Sequence, residues 1–75
     1  MSKKPPVHTV PHHDGWANRR EGSDRVNKVF PTKKEARQAG RATAKREGTE
    51  HLIHNRDGKI GERNSYGNDP YPPKG

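Results

Sequence analysis

Residues 32–48, TKKEARQAGRATAKREG, decide the fold, because they combine a helical pattern with a start signal and a stop signal. Thr32 is placed to act as the N-cap. Glu35, three residues later, completes a capping box that satisfies the free N–H groups of the first turn. Gly48 suits the left-handed backbone position that commonly ends a helix. The sequence therefore predicts one α-helix between Thr32 and Gly48.

The predicted helix has a face of small residues and an arc of cations. The small residues recur at helical spacing and would let the helix backbone lie close to a sheet; they are Ala36, Ala39, Gly40, Thr43 and Ala44. The cations occupy much of the outward surface and are Lys33, Lys34, Arg37, Arg41, Lys45 and Arg46. This arrangement is typical of a solvated helix face, and it is also what a phosphate-binding surface requires.

The segments on either side of the helix have the alternation and the turn signals of short strands. Three are expected before the helix and two after it, over 7–12, 15–20, 25–30, 51–55 and 59–63. The Asp57-Gly58 pair is the strongest hairpin signal, and Pro11 indicates either an edge strand or the end of a strand. The order β-β-β-α-β-β predicts an α+β domain, a small antiparallel sheet with the helix packed on one face.

Large apolar residues are few, and we expect them to fill the space beneath the small helix face. The candidates are Trp16, Phe30, Leu52 or Ile53, and Ile60. Simple alternation puts Val26 and Phe30 on one face of the third strand and Val29 on the other. It also puts Asn18 on the same inward face as Trp16.

Composition limits the chain to one small, weakly stabilised domain. Of its 75 residues 23% are hydrophobic and 33% charged, and the mean hydropathy is −1.54. A core of this size contributes about 3–5 kcal/mol net. We expect a disordered leader over 1–6, the domain over 7–66 and an extended Pro/Gly-rich tail over 67–75. No apolar run has the length of a membrane span or a signal peptide, which favours a cytoplasmic protein, monomeric or weakly homodimeric.

The combined motifs resemble a known family. The sequence has Gly15-Trp16, then the capping segment 32–36, then HNRDGKI over 54–60 and SYGNDP over 65–70. This pattern is similar to that of the bacterial domain-of-unknown-function family 2188, over roughly 7–75. The resemblance implies an α+β fold and carries over no catalytic residue.

Catalytic and metal chemistry have little support in the sequence. The chain has no cysteine, which excludes disulfides and thiolate zinc sites. Its histidines lack zinc-ligand spacing. On a strand, His12 and His13 would point to opposite faces, as would His51 and His54. A site assembled across strands, for example from His8 and His54, remains an alternative. We predict no enzymatic activity, no catalytic residue, no metal site and no cofactor.

The net charge of +7 favours a polyanionic partner. We predict non-specific DNA or RNA binding through the phosphate backbone, because cations are abundant and aromatic residues are few. The predicted contact residues are Arg19, Arg20, Lys28, Lys33, Lys34, Arg37, Arg41 and Lys45. The alternative function is a protein-interaction or structural accessory module, joined as a homodimer through sheet edges or binding a protein partner through its tail.

Overall fold

The computed structural model of the protein describes residues 4–23 and 25–66. Residues 1–3 of the predicted leader and the whole predicted tail, 67–75, lie outside this part of the chain. The elements are β1 (Val7–His12), β2 (Gly15–Arg20), β3 (Val26–Phe30), α1 (Lys33–Glu47), β4 (Glu50–His54) and β5 (Ile60–Ser65). The predicted α+β class and element order are therefore confirmed.

Both predicted helix ends are present. The Thr32 side chain accepts a hydrogen bond from the Glu35 backbone N–H at 3.2 Å. Gly48 has φ of 66° in the left-handed region, and its N–H donates to the Lys45 carbonyl. The backbone groups that a helix leaves unpaired at its ends are thus satisfied locally.

The sheet has the strand order β3-β2-β1-β4-β5. Three of its neighbouring pairs are antiparallel, but β1 and β4 run parallel, so the expectation of a wholly antiparallel sheet was wrong for the central pair. The chain leaves β3 at one edge and crosses the face as α1 before entering β4, and a crossover of this length permits a parallel neighbour.

Strand β1 lies in the centre of the sheet rather than at an edge. Its pairing with β4 covers Val7 to Thr9 and stops before Pro11. Of the two predictions for Pro11, the strand end is therefore the correct one. A proline there removes no ladder hydrogen bond to β4.

The small helix face packs on the centre of the sheet, as predicted. Ala36, Gly40 and Ala44 are buried. A Cβ atom at Gly40 would lie 2.7 Å from His51 Nε2, 2.8 Å from Asn18 Oδ1 and 2.9 Å from Thr9 Oγ1. Glycine is therefore required here by close approach, and the helix backbone lies directly over three polar side chains.

Two register shifts move apolar residues away from their predicted places. The shift after Asn18 pairs Val26 with Arg19, on the face opposite to Phe30. The shift after Ile53 pairs Ile60 with His54, and Ile60 is 49% exposed instead of buried in the core. Each shift adds a residue to one strand, which inverts the alternation beyond it.

The core beneath α1 contains Trp16 and Ile53, both almost fully buried. Leu52 is equally buried but, by alternation along β4, lies on the other face of the sheet. In the part of the chain that the structure describes, no helix is long and apolar enough to cross a membrane.

Candidate nucleic-acid interface

Four exposed cations form a stripe along the outer face of α1, which we call the helix stripe: Lys34, Arg37, Arg41 and Lys45. At about 100° per residue, these positions fall within about 100° of the helix circumference. They span about 16 Å along the axis. Their side chains line two adjoining surface depressions of about 500 and 350 Å³, together with Lys33, Gln38 and Ala42.

Within the described residues, most of the helix stripe has no carboxylate partner. Among residues 4–23 and 25–66, no carboxylate lies within ion-pair distance of Lys34, Arg41 or Lys45. Arg37 is the exception, since its Nη2 donates to Glu62 Oε2 at 2.9 Å in an exposed pair. Three free cations and one shared cation therefore face the solvent on this side.

The other predicted contact residues are dispersed. Arg20 Nη2 donates to Glu47 Oε2 at 2.6 Å, in a pair that is mostly shielded from solvent. Arg19 lies on the sheet face away from α1 and donates to the Ser23 carbonyl. Lys28 Nζ lies over the Phe30 ring at 5.2 Å from its centre, and Lys33 Nζ over Trp16 at 5.0 Å. The structure thus brings together the helix cations and separates Arg19 and Arg20 from them.

Beneath α1, a chain of hydrogen bonds crosses three strands, and the sequence reasoning missed it. Asn18 Nδ2 donates to the Ala36 carbonyl at 2.9 Å, and Thr9 Oγ1 donates to Asn18 Oδ1 at 2.5 Å. Thr9 Oγ1 also lies 2.7 Å from His51 Nε2. The sequence signal was a polar residue, Asn18, at an inward position of a predicted strand, because buried polar groups require partners.

A family model described as "Uncharacterized protein conserved in bacteria (DUF2188)" matches residues 7–66. The chain belongs to this family. It is also similar to the "Uncharacterized protein YdaT" of Bacillus subtilis (strain 168), with 40% identity over 53 residues. That match covers 71% of this chain but 35% of YdaT, so the chain spans about a third of that relative's length. No solved structure has a significant match to the chain.

Membership in DUF2188 confirms the resemblance drawn from the sequence motifs. The printed descriptions of the family and of YdaT name no activity, ligand or partner. Any functional assignment therefore depends on the side chains of this protein.

The cross-strand histidine pair considered from the sequence is present. His8 Nδ1 lies 2.8 Å from His54 Nε2, His8 Nε2 lies 3.0 Å from Glu21 Oε1, and His54 Nδ1 lies 2.9 Å from the Gly58 carbonyl. Each of the four ring nitrogens lies within hydrogen-bond distance of a neighbouring group. A metal ion would have to displace one of these contacts to bind either ring.

A second histidine group lies in the turn after β1. The candidate ligand atoms of His12, His13 and Asp14 lie within 4.8 Å of one another. The two rings stack with centres 4.2 Å apart, so the expectation that they point to opposite faces was wrong, since His13 has already entered the turn. By contrast, His51 faces α1 and His54 the open side, as predicted. The absence of a metal site stays a prediction.

Burial dominates the electrostatics of His51. It lowers the pKa of the ring from 6.5 to about 4; Glu62 opposes this shift, and the charges of Arg37 and Arg41 add to it. The ring is therefore neutral at pH 7. The pKa of Glu62 is also lowered, first by the hydrogen bond from Asn64 and then by the charge of Arg37.

Proposed function

We propose that this domain binds single-stranded or duplex nucleic acid through its phosphate backbone, using the helix stripe as the contact surface. The observation that carries the proposal is the row of Lys34, Arg41 and Lys45, which are exposed and have no carboxylate partner among the described residues. Cations spaced along one helix face can each neutralise a phosphate and release its counterions.

The geometry favours backbone contact over base recognition along the stripe itself. In the described chain, Trp16 is buried and Phe30 is half-buried in β3, while Tyr66 lines a depression beside Arg37 and Arg41 and is not part of the stripe. Proteins that stack several bases usually present exposed aromatic rings on their binding surface. The stripe is therefore suited to binding with little sequence preference.

The alternative, a protein-interaction module, has weaker support. Among the residues that the structure describes, Ile60 is the one large apolar side chain that is exposed. A single exposed apolar residue is normal on a soluble protein and does not require a partner.

A salt titration tests the proposal. We expect fluorescence anisotropy with a labelled single-stranded oligonucleotide to detect binding at low salt that weakens as salt rises. Three or four phosphate contacts predict a slope of log K against log salt between about −2 and −3 on a single strand. An absence of binding at low salt, or binding that does not depend on salt, would contradict the proposal.

A further inference from the structure

A small polar cleft adjoins the helix stripe, between α1 and β5. It has a volume of about 220 Å³. Its walls come from α1, β4, β5 and the residue that follows β5: Arg37, Arg41, His51, Ile53, Glu62, Asn64 and Tyr66. Because Arg37 and Arg41 belong both to the stripe and to the cleft, a strand lying on the stripe would pass the mouth of the cleft.

The hydrogen-bond chain beneath α1 determines which nitrogen of His51 carries the proton. Asn18 uses its NH₂ group on the Ala36 carbonyl, so its oxygen accepts the proton of Thr9. Thr9 Oγ1 has one proton and must therefore accept from His51 Nε2, which lies 2.7 Å away. The neutral ring is protonated at Nε2, and Nδ1 is a bare acceptor.

His51 Nδ1 is fully buried and has no hydrogen-bond partner among the described residues. Buried acceptors without a partner are rare in folded proteins. Because His51 lines the cleft, a ligand that displaces the side chains covering this atom could satisfy it with an N–H group.

A second acceptor lies in the same cleft. Glu62 Oε2 receives hydrogen bonds from Arg37 Nη2 and Asn64 Nδ2, and neither bond uses Oε1. Two acceptors, the imidazole nitrogen and the carboxylate, would repel a bare phosphate. Arg41 supplies a cationic donor to the same space. The cleft is thus complementary to a group that presents two donors beside an acceptor.

We propose that the cleft binds a guanine base, with its N1–H and N2–H₂ groups donating to His51 Nδ1 and Glu62 and its O6 accepting from Arg41. For a base within a strand, this inference rests on the proposed phosphate contacts. Adenine and cytosine offer one donor nitrogen on this edge and uracil one N–H, whereas guanine offers two donor nitrogens next to a carbonyl. A cavity of about 150 Å³ holds a benzene ring, so the observed volume suits a single base.

The free nucleoside tests the cleft independently of the helix stripe, because guanosine carries no phosphate. We expect saturable NMR shifts at His51, including its Nδ1 resonance, when guanosine is added. Inosine lacks the N2 amino group and should bind at least about tenfold more weakly. Equal binding of the two nucleosides, or no change at His51, would overturn the inference.

Oligonucleotides test the cleft in the context of a strand. We expect a thymidine decamer with one central guanine to bind about tenfold more tightly than the plain decamer. Glu62→Gln should remove this preference. Glu35→Gln, which makes the same charge change at an exposed helix position away from the cleft, should retain it. A preference that survives Glu62→Gln would contradict the assignment.

The nucleoside and oligonucleotide experiments together distinguish the guanine cleft from the phosphate contacts. Guanosine binding without oligonucleotide binding would retain the cleft and reject the phosphate contacts. Oligonucleotide binding with equal affinity for both decamers would retain the phosphate contacts and reject the cleft.

Discussion

The two faces of the sheet bury different kinds of side chain. The face covered by α1 has Thr9, Asn18 and His51 at its centre, all at most 6% exposed. The open face has Ala17, Leu52 and His8 at its centre, which are 0%, 3% and 8% exposed. The centre of the covered face is therefore polar, although the covered face of a sheet is usually apolar, whereas the open face buries both polar and apolar side chains.

The reason lies in the helix. Ala36, Gly40 and Ala44 bring its backbone so close to the sheet that large side chains are excluded from the centre. Polar groups can occupy that space because they satisfy one another and the Ala36 carbonyl. Val7, Trp16 and Ile53 contribute the larger apolar side chains beneath α1. Close approach and directed hydrogen bonds, more than apolar volume, thus determine how α1 sits on the sheet.

The largest expected loss of stability comes from removing a buried apolar side chain on the covered face, and it should exceed the loss for an apolar side chain on the open side. Trp16→Ala should cost about 3–5 kcal/mol, which is comparable to the net stability of a domain this small. Ile60→Ala on the open side, where the side chain is half exposed, should cost less than about 1 kcal/mol. Thermal melts followed by circular dichroism would compare them. A cooperative Trp16→Ala melt close to that of the unmodified protein would mean that Trp16 is not core.

A smaller loss of stability is expected when the pH falls, because His51 in the polar centre of the covered face becomes protonated on unfolding. The pKa of His51 is about 4 in the folded protein and 6.5 ordinarily, so the unfolded chain binds more protons between these values. The contribution of neutral His51 to the free energy of unfolding should therefore be fully present above pH 6.5. It should fall as the pH drops toward 4, by at most about 3 kcal/mol. Urea unfolding at several pH values measures this loss, and an NMR titration identifies its source. A folded-state His51 that titrates near pH 6.5 would contradict the account.

Local signals in the sequence were sufficient for the elements themselves. The interactions that form the helix caps and the hairpin turn join residues within a few positions of one another, so short stretches of sequence are enough to predict them. These are the caps at Thr32 and Gly48 and the turn at Asp57-Gly58. The small face of α1 was likewise readable from spacing alone. These features gave the fold class and the element order.

Features that depend on distant residues could not be predicted in this way. The parallel pairing of β1 with β4 joins positions more than 40 residues apart. The register shifts that relocate Val26 and Ile60 depend on how neighbouring strands align. The bond between Thr9 and His51 spans 42 positions. Sequence patterns do not encode such pairings directly.

The predicted nucleic-acid contact residues also divide into those whose relative positions follow from local geometry and those whose positions depend on distant residues. Those on α1 stay together because helix geometry fixes their relative positions. Arg19 and Arg20 are neighbours on a strand, and alternation sends them to opposite faces. Glu47, which neutralises Arg20, is 27 positions away, and no local pattern links the two residues.

The most direct test of the central claim compares two charge-matched variants. One reverses the free cations of the helix stripe, Lys34→Glu, Arg41→Glu and Lys45→Glu; the other reverses exposed cations of the β4–β5 hairpin, Arg56→Glu, Lys59→Glu and Arg63→Glu. Both lower the net charge equally. If the stripe contacts the phosphates, anisotropy at low salt with the plain thymidine decamer, which offers the cleft no guanine, should give at least about a tenfold loss of affinity for the first variant and less than about threefold for the second. Equal losses would mean that net charge, and not the helix stripe, causes the binding.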